Sequence, residues 1–254
     1  MNDLDAGCET LRGLHLPGEP LLLPNAWDVA SARAVEAAGF PVVATTSAGV
    51  AAALGFEDHE GAPADEMLAA AARVARGVAI PVTVDAEAGY GMDPQDLVAA
   101  LAEIGVAGCN LEDTDHRTGQ LRDPRAHAEW LAAVREAAAR REYGLVINAR
   151  IDVFVRAAAA GGDRSQTELV DEALRRARAY SDAGADCVYP ILLWEPDPLG
   201  RFLSEHPGPV NAVRIPPGPS VPELAELGVA RVSWGGQLAH GSIEWLRNTL
   251  GSLG

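Results

Sequence analysis

One hydrophobic pattern recurs along the chain. A stretch with apolar residues at helical spacing ends at a glycine, and a short apolar or β-branched run follows, as in AVEAAGFPVVATTS, ARGVAIPVTVDAE, LAEIGVAGCNLED, YSDAGADCVYP and LAELGVARVSWGG. Glycine after a last helical turn takes the left-handed conformation without a Cβ clash, so it ends the helix, and the next run enters a sheet. This is the αβ connection of a parallel sheet. Runs bounded in this way are Leu21 to Pro24, Val42 to Thr45, Val82 to Asp85, Gly108 to Leu111, Leu145 to Asn148, Cys187 to Tyr189, Val210 to Val213 and Arg231 to Ser233. Between them lie amphipathic stretches, among them Asp28 to Ala38, Ala64 to Arg76, Pro94 to Ile104, Pro124 to Arg141, Ser165 to Ala183 and Leu238 to Leu250. Eight alternations in a chain of this length predict a single (β/α)8 barrel of the TIM type over residues 1–254. A doubly wound open sheet is the runner-up, but no G-x-G-x-x-G follows the first strand. No linker divides the chain, since the Pro-rich IPPGPSVP is only as long as a loop.

Chemistry in such barrels collects at the C-terminal strand ends, and these ends are polar here. Asp85 and Glu87 stand two apart after the third run, so both side chains point toward the barrel axis, and Glu112 ends the neighbouring strand. Three converging carboxylates repel one another unless a hard cation neutralises them. Oxygen ligands with room for water suit Mg²⁺ or Mn²⁺. The plainer alternative is that Asp85 caps a helix while the glutamates are solvated; a third acidic strand end and Arg150 nearby favour the metal. Ser47, Ala48 and Gly49 offer a hydroxyl and consecutive backbone N–H groups for a carboxylate. The Arg150 fork suits a carboxylate or a phosphonate. Together these groups would stabilise an enolate oxygen, which implies bond cleavage or formation next to a 2-oxo acid.

Charge changes the picture. The 254 residues carry 20 Lys+Arg against 36 Asp+Glu, a net charge of −16, with 48% hydrophobic residues. That composition excludes intrinsic disorder, and an acidic surface disfavours nucleic acid and anionic membranes as partners. A small anionic substrate would then need a local cation, which a metal or an inward Arg supplies. Three cysteines without C-x-x-C spacing point to buried thiols rather than a disulfide or zinc scaffold. The N-terminus has no signal-peptide blocks and no apolar run approaches the length of a membrane span, so a cytoplasmic location is expected.

Ordered landmarks then identify a resemblance. PNAWD (Pro24 to Asp28), TSAGVAAALGFED (Thr46 to Asp58), VDAEAGYG (Val84 to Gly91), NLED (Asn110 to Asp113), INARIDVF (Ile147 to Phe154), AGAD (Ala183 to Asp186), PVN (Pro209 to Asn211) and GVARVSWG (Gly228 to Gly235) resemble the isocitrate lyase/phosphoenolpyruvate mutase superfamily. The resemblance implies a (β/α)8 barrel and Mg²⁺, with Asp85 the direct ligand and Glu87 and Glu112 acting through water. It places Ser47, Ala48 and Gly49 on the substrate carboxylate, Asp58 on a gating segment and Arg150 on the substrate. Tyr90, between Gly89 and Gly91, and Asn211 complete the expected substrate-binding set. It also implies a homo-oligomer in which the last barrel helix is exchanged between protomers, although this chain stops at Gly254, soon after the helix with Ile243, Trp245 and Leu246.

Departures narrow the reaction. Glu87 stands where the superfamily usually carries Asp, and Thr45 where the mutase branch has an aromatic residue. The lid stretch reads DTDHRTGQLRDP, without the K-[KR]-C-G-H of the lyases or the Lys, Asn and Ser of the mutases. Isocitrate or methylisocitrate cleavage through a lid Cys is therefore not expected. His116 and Arg117 are what this lid offers; the His could serve as acid or base, and a short solvated loop is the alternative. The expected activity is a lyase or phosphonomutase reaction, making or breaking a C–C or C–P bond next to a 2-oxo acid. A hydrolase for oxaloacetate or phosphonopyruvate is the alternative, and a non-catalytic 2-oxo-acid-binding barrel is the reading from a different class.

Overall fold

Gly105, at φ 83°, returns its N–H to Leu101 and Ala102 and ends a helix, and Val106 leads straight into a buried strand. The same device, repeated, produces the elements of a computed structural model that describes residues 3–161 and 164–253. In chain order these are α1 (Asp3–Gly13), β1 (Leu21–Leu23), β2 (Asn25–Ala26), α2 (Val29–Ala37), β3 (Val43–Thr45), α3 (Ser47–Leu54), α4 (Ala64–Gly77), β4 (Val82–Asp85), α5 (Pro94–Ile104), β5 (Gly108–Glu112), β6 (Thr114–Asp115), β7 (Gln120–Leu121), α6 (Pro124–Arg140), β8 (Val146–Ile151), α7 (Val153–Ala159), α8 (Gln166–Asp182), β9 (Cys187–Pro190), α9 (Pro196–Glu205), β10 (Asn211–Val213), α10 (Val221–Glu226), β11 (Arg231–Ser233) and α11 (Gln237–Gly251).

Strands β2-β3-β4-β5-β8-β9 form one parallel sheet and β1-β11-β10 a second. Two links join them. Val188 of β9 bridges to Val210 in parallel, and its N–H donates to Pro209 O at 3.1 Å. On the other side β1 and β2 are halves of one strand interrupted by Pro24, which has no N–H to give a ladder; the first half pairs with β11 and the second with β3. The strands therefore follow one another around a ring of eight, as the sequence pattern predicts.

Apolar side chains from the strands and from the inner faces of the helices, such as Leu23, Leu101, Leu111, Leu131 and Ile147, form the main core. At the N-terminal ends of the strands α1 packs across the barrel with Cys8 and Leu11 fully buried. A Cβ on Gly108 would stand 2.7 Å from the Leu11 side chain, so this close approach requires glycine. Arg12 fastens the helix through Asp186 (2.8 Å) and Gly144 O (2.8 Å).

Three helices and a hairpin go beyond the eight predicted alternations. α1 covers the bottom, α3 and α7 follow strands β3 and β8 immediately, and β6 pairs with β7 in the lid stretch. Strand β8 also runs on to Ile151, so Arg150 lies within the strand rather than in the loop after it. All three cysteines are buried and free, and burial pushes the thiols of Cys109 and Cys187 up to about 12. No helix among the described residues is long and apolar enough to cross a membrane.

Candidate functional site

A cavity of about 220 Å³ opens at the C-terminal ends of the strands, with Ser47, Ala48, Asp58, Asp85, Asn110 and Arg150 in its wall. Local structure explains each placement. Asp85 is the last residue of β4; its N–H donates to Thr45 Oγ1 (2.9 Å), and its Oδ2 accepts from the Ser47 N–H (3.1 Å). Ser47 opens α3, so the N–H groups of Ala48 and Gly49 belong to a first helical turn and have no intrahelical acceptor. Such a turn favours an anion. Ser47 N–H is already used by Asp85, which leaves the Ser47 hydroxyl and the Ala48 N–H at the wall. Gly49 lies behind it, packed so closely that a Cβ would stand 2.8 Å from Trp27 Cβ.

The Arg150 side chain is largely buried, 11% exposed, and held from two sides. Its Nη1 reaches Glu112 Oε2 at 2.6 Å and its Nε reaches Asp152 Oδ1 at 2.6 Å. Asp152 is itself fixed, accepting from Thr114 Oγ1 (2.6 Å) and donating its N–H to Asp113 Oδ1 (2.9 Å). Asp113 accepts from Tyr180 (2.7 Å) and Arg176 (3.0 Å) of α8. A chain of buried charges thus runs from the outer helix to the cavity.

The carboxylates do not converge as a three-ligand cluster. Among the described residues no group of three His, Cys, Asp or Glu side chains is placed to hold one ion directly. Glu87, at φ 48°, accepts the Glu60 N–H on Oε2 at 2.5 Å, and Glu112 is engaged by Arg150 and by His116 Nε2. Asp85 is different, because its Oδ1 is buried without any hydrogen-bond partner among the described residues, as is Asp58 Oδ1. Burial, opposed by the Glu60 N–H and reinforced by the charges of Asp85, Asp58 and Glu112, pushes Glu87 up to about 8. Burial likewise raises Glu112, with Arg150 pulling it back. The orphaned Asp85 oxygen amid mutual repulsion fits a hard divalent cation bound there, while Glu87 and Glu112 are engaged by other partners.

The remaining predicted residues separate. His116, in the loop between β6 and β7, turns inward onto Glu112; burial works against its protonation, but the Glu112 hydrogen bond and charge dominate and raise its pKa. Its ring stacks on His59 of the segment after α3 at 5.4 Å between centroids, so these two loops touch. Arg117 instead points to solvent against Asp115. Tyr90 stands behind the site, its N–H on Glu60 Oε1 (2.6 Å) and its hydroxyl 3.4 Å from Asp85 O, and it faces a separate small cavity with Val50 and Met67. Asn211 is fully buried inside the barrel, receiving from Asn148 and donating to Ser233 Oγ (3.2 Å).

Asn25, Asn110, Tyr189 and Ser233 also line the cavity. Asn25 knits the rim, accepting from Trp234 and Gly235 N–H at 2.8 Å each while donating to Thr45 O. The available signal was a polar residue inside an apolar strand run, as in GCNLE and RVS.

Comparison with known proteins gives the same architecture. A family model described as phosphoenolpyruvate phosphomutase matches residues 11–253. A crystal structure from Burkholderia cenocepacia J2315, provisionally named a phosphonomutase, superposes with a TM-score of 0.89 at 41% identity, covering 96% of this chain and 98% of that one. An uncharacterized protein of Mycobacterium tuberculosis (strain H37Rv) is 38% identical over 87% of this chain and 80% of its own length. A Corynebacterium glutamicum protein provisionally named 2-methylisocitrate lyase 2 is 35% identical over 76% of this chain and 62% of its own.

Proposed function

Because the chain belongs to the phosphoenolpyruvate mutase family, within the isocitrate lyase/phosphoenolpyruvate mutase superfamily, we propose that it is a Mg²⁺-dependent enzyme that makes or breaks a C–C or C–P bond next to a small 2-oxo acid, through an enolate. The observation that carries this reading is the pairing, across one cavity, of an unpartnered Asp85 oxygen with the buried Arg150 guanidinium. When bound at Asp85, Mg²⁺ would supply Lewis-acid stabilisation of charge on the 2-oxo oxygen; Mn²⁺ suits the same donors.

The chain's own groups do the rest. Ala48 N–H and the Ser47 hydroxyl bind the substrate carboxylate at the start of α3, and Gly49 allows the close packing behind them. Arg150, held rigid by Glu112 and Asp152, presents its guanidinium to the opposite end of the substrate. Asp58 closes the wall from the gating segment. Glu87 and Glu112 would help to hold the ion without binding it directly, and His116, hydrogen-bonded to Glu112, is the lid's acid or base. Tyr90 and Asn211 support the site from behind rather than touching substrate.

A hydrolase acting on oxaloacetate or phosphonopyruvate is the second reading, favoured by the inward-turned His116 where a lid Cys is missing. The protein acts as a single barrel domain in the cytoplasm and assembles as a homo-oligomer. Support for assembly comes from α11, whose Ile243, Trp245, Leu246 and Leu250 are exposed while only Ala239 is buried. Exchange of this helix with a second copy would cover that face. The deciding assay offers oxaloacetate, phosphonopyruvate and methylisocitrate with Mg²⁺. Turnover of one of them is expected; 2-oxo acid binding without any product supports a binding barrel instead.

A further inference from the structure

Arg231 is the largest fully buried side chain of the barrel interior, and no carboxylate pairs with it among the described residues. Its Nη2 donates to Asn110 Oδ1 at 3.1 Å, while Nε and Nη1 have no partner. A guanidinium held this way costs free energy unless something is gained from it. Asn148 Nδ2 donates to the same Asn110 oxygen at 2.8 Å.

The chemistry of these donors settles which way the Asn110 amide faces. Arg has donors and no acceptor, so the amide oxygen of Asn110 must point down at Arg231. The amide nitrogen then points the other way. Asn110 lines the cavity, and its Nδ2 has no acceptor among the described residues. Asn110 is also the register partner of Asp85 on the adjacent strand, which puts this donor beside the proposed ion site.

Resting on the 2-oxo acid reading above, we propose that Asn110 is a substrate-binding residue that donates its Nδ2–H to a substrate oxygen, and that Arg231 is the positioning residue that locks the amide in that orientation. The pair also supplies positive charge beneath the site that Arg150, already engaged by two carboxylates, does not. The oxygen recognised is that of a carboxylate or 2-oxo group, an acceptor with no proton of its own.

Asn110→Asp tests this, because it keeps the shape, gives Arg231 a charged acceptor and turns the cavity-facing donor into an acceptor. Oxalate, a planar mimic of a 2-oxo acid enolate, is the probe in calorimetry with Mg²⁺ present, and Mg²⁺ alone is titrated separately. The variant is expected to lose roughly ten- to a hundredfold in oxalate affinity while its Mg²⁺ affinity is kept or improved. Arg231→Met is expected to lose less oxalate affinity than Asn110→Asp, with Mg²⁺ binding intact, because its amide is unlocked rather than reversed. Unchanged oxalate affinity in Asn110→Asp would overturn the proposal, as would loss of Mg²⁺ and oxalate binding together in both variants, which would mark a structural role. Absence of oxalate binding by the parent protein would instead overturn the 2-oxo acid reading, and this inference with it.

Discussion

Arg150 and Glu112 are register partners on adjacent strands and form a buried ion pair, Nη1 to Oε2 2.6 Å. The pairing holds the guanidinium at the cavity wall, with its charge balanced by Glu112 and Asp152. Arg150→Lys keeps the charge but cannot span Glu112 and Asp152 together. It should lower turnover about a hundredfold or more while the protein still folds, as measured by steady-state kinetics beside a thermal melt. Near-parental turnover would mean that the fork geometry is irrelevant to the reaction.

Asp85 carries a buried oxygen without a partner among repelling neighbours. Asp85→Asn should abolish Mg²⁺ binding and turnover, yet leave the metal-free Tm unchanged or higher because repulsion with Glu87 is relieved. Calorimetry with Mg²⁺ and differential scanning of the metal-free protein read the two effects separately. A large drop in Tm would assign Asp85 a structural role.

Acid should destabilise the fold through buried histidines that the cavity does not include. Burial, helped by Arg122 and Arg176, holds His127 down to about 3, and burial with Arg231 holds His15 down to about 4. In the unfolded chain both protonate near pH 6.5. The unfolded state therefore binds more protons below that pH, and stability falls as pH drops from about 6.5 toward the folded values, by up to about 1.4 kcal/mol per pH unit for each group. His127→Leu should flatten the decline between pH 6.5 and 4.5 in urea titrations. An unchanged slope would show that other groups dominate acid unfolding.

The apolar face of α11 should be covered in solution. Trp245 is 68% exposed and Leu250 57%, which is a large apolar patch for a free helix. Light scattering should report a dimer or larger species, and Ile243→Glu with Trp245→Glu should shift it toward monomer. A monomeric parent protein would contradict the helix-exchange reading.

Much of the fold was legible because the barrel repeats a local device, helix then glycine then apolar strand, that sequence displays directly. The extra elements were not, for separate reasons. α3 is small and apolar nearly all round, so SAGVAAAL has no clear stripe, and the split of the first strand depends on which neighbours flank Pro24. In the site, Asp85, Arg150 and Ser47 were visible as polar residues at strand ends. Arg231 and the Asp113–Arg176 pair were not, since their partners stand 121 and 63 positions away along the chain. The stacking of His59 on His116 joins two loops whose approach only the folded chain reveals.

Binding of a 2-oxo acid by Mg²⁺ and Arg150 together, in the cavity above Asp85, is the core of the proposed function. Calorimetric titration of oxalate into the parent protein, once with Mg²⁺ and once with a chelator, tests it most directly. Saturable binding with Mg²⁺ is expected, and it should disappear with the chelator and in Asp85→Asn. Equal binding under both conditions, or none under either, would contradict it.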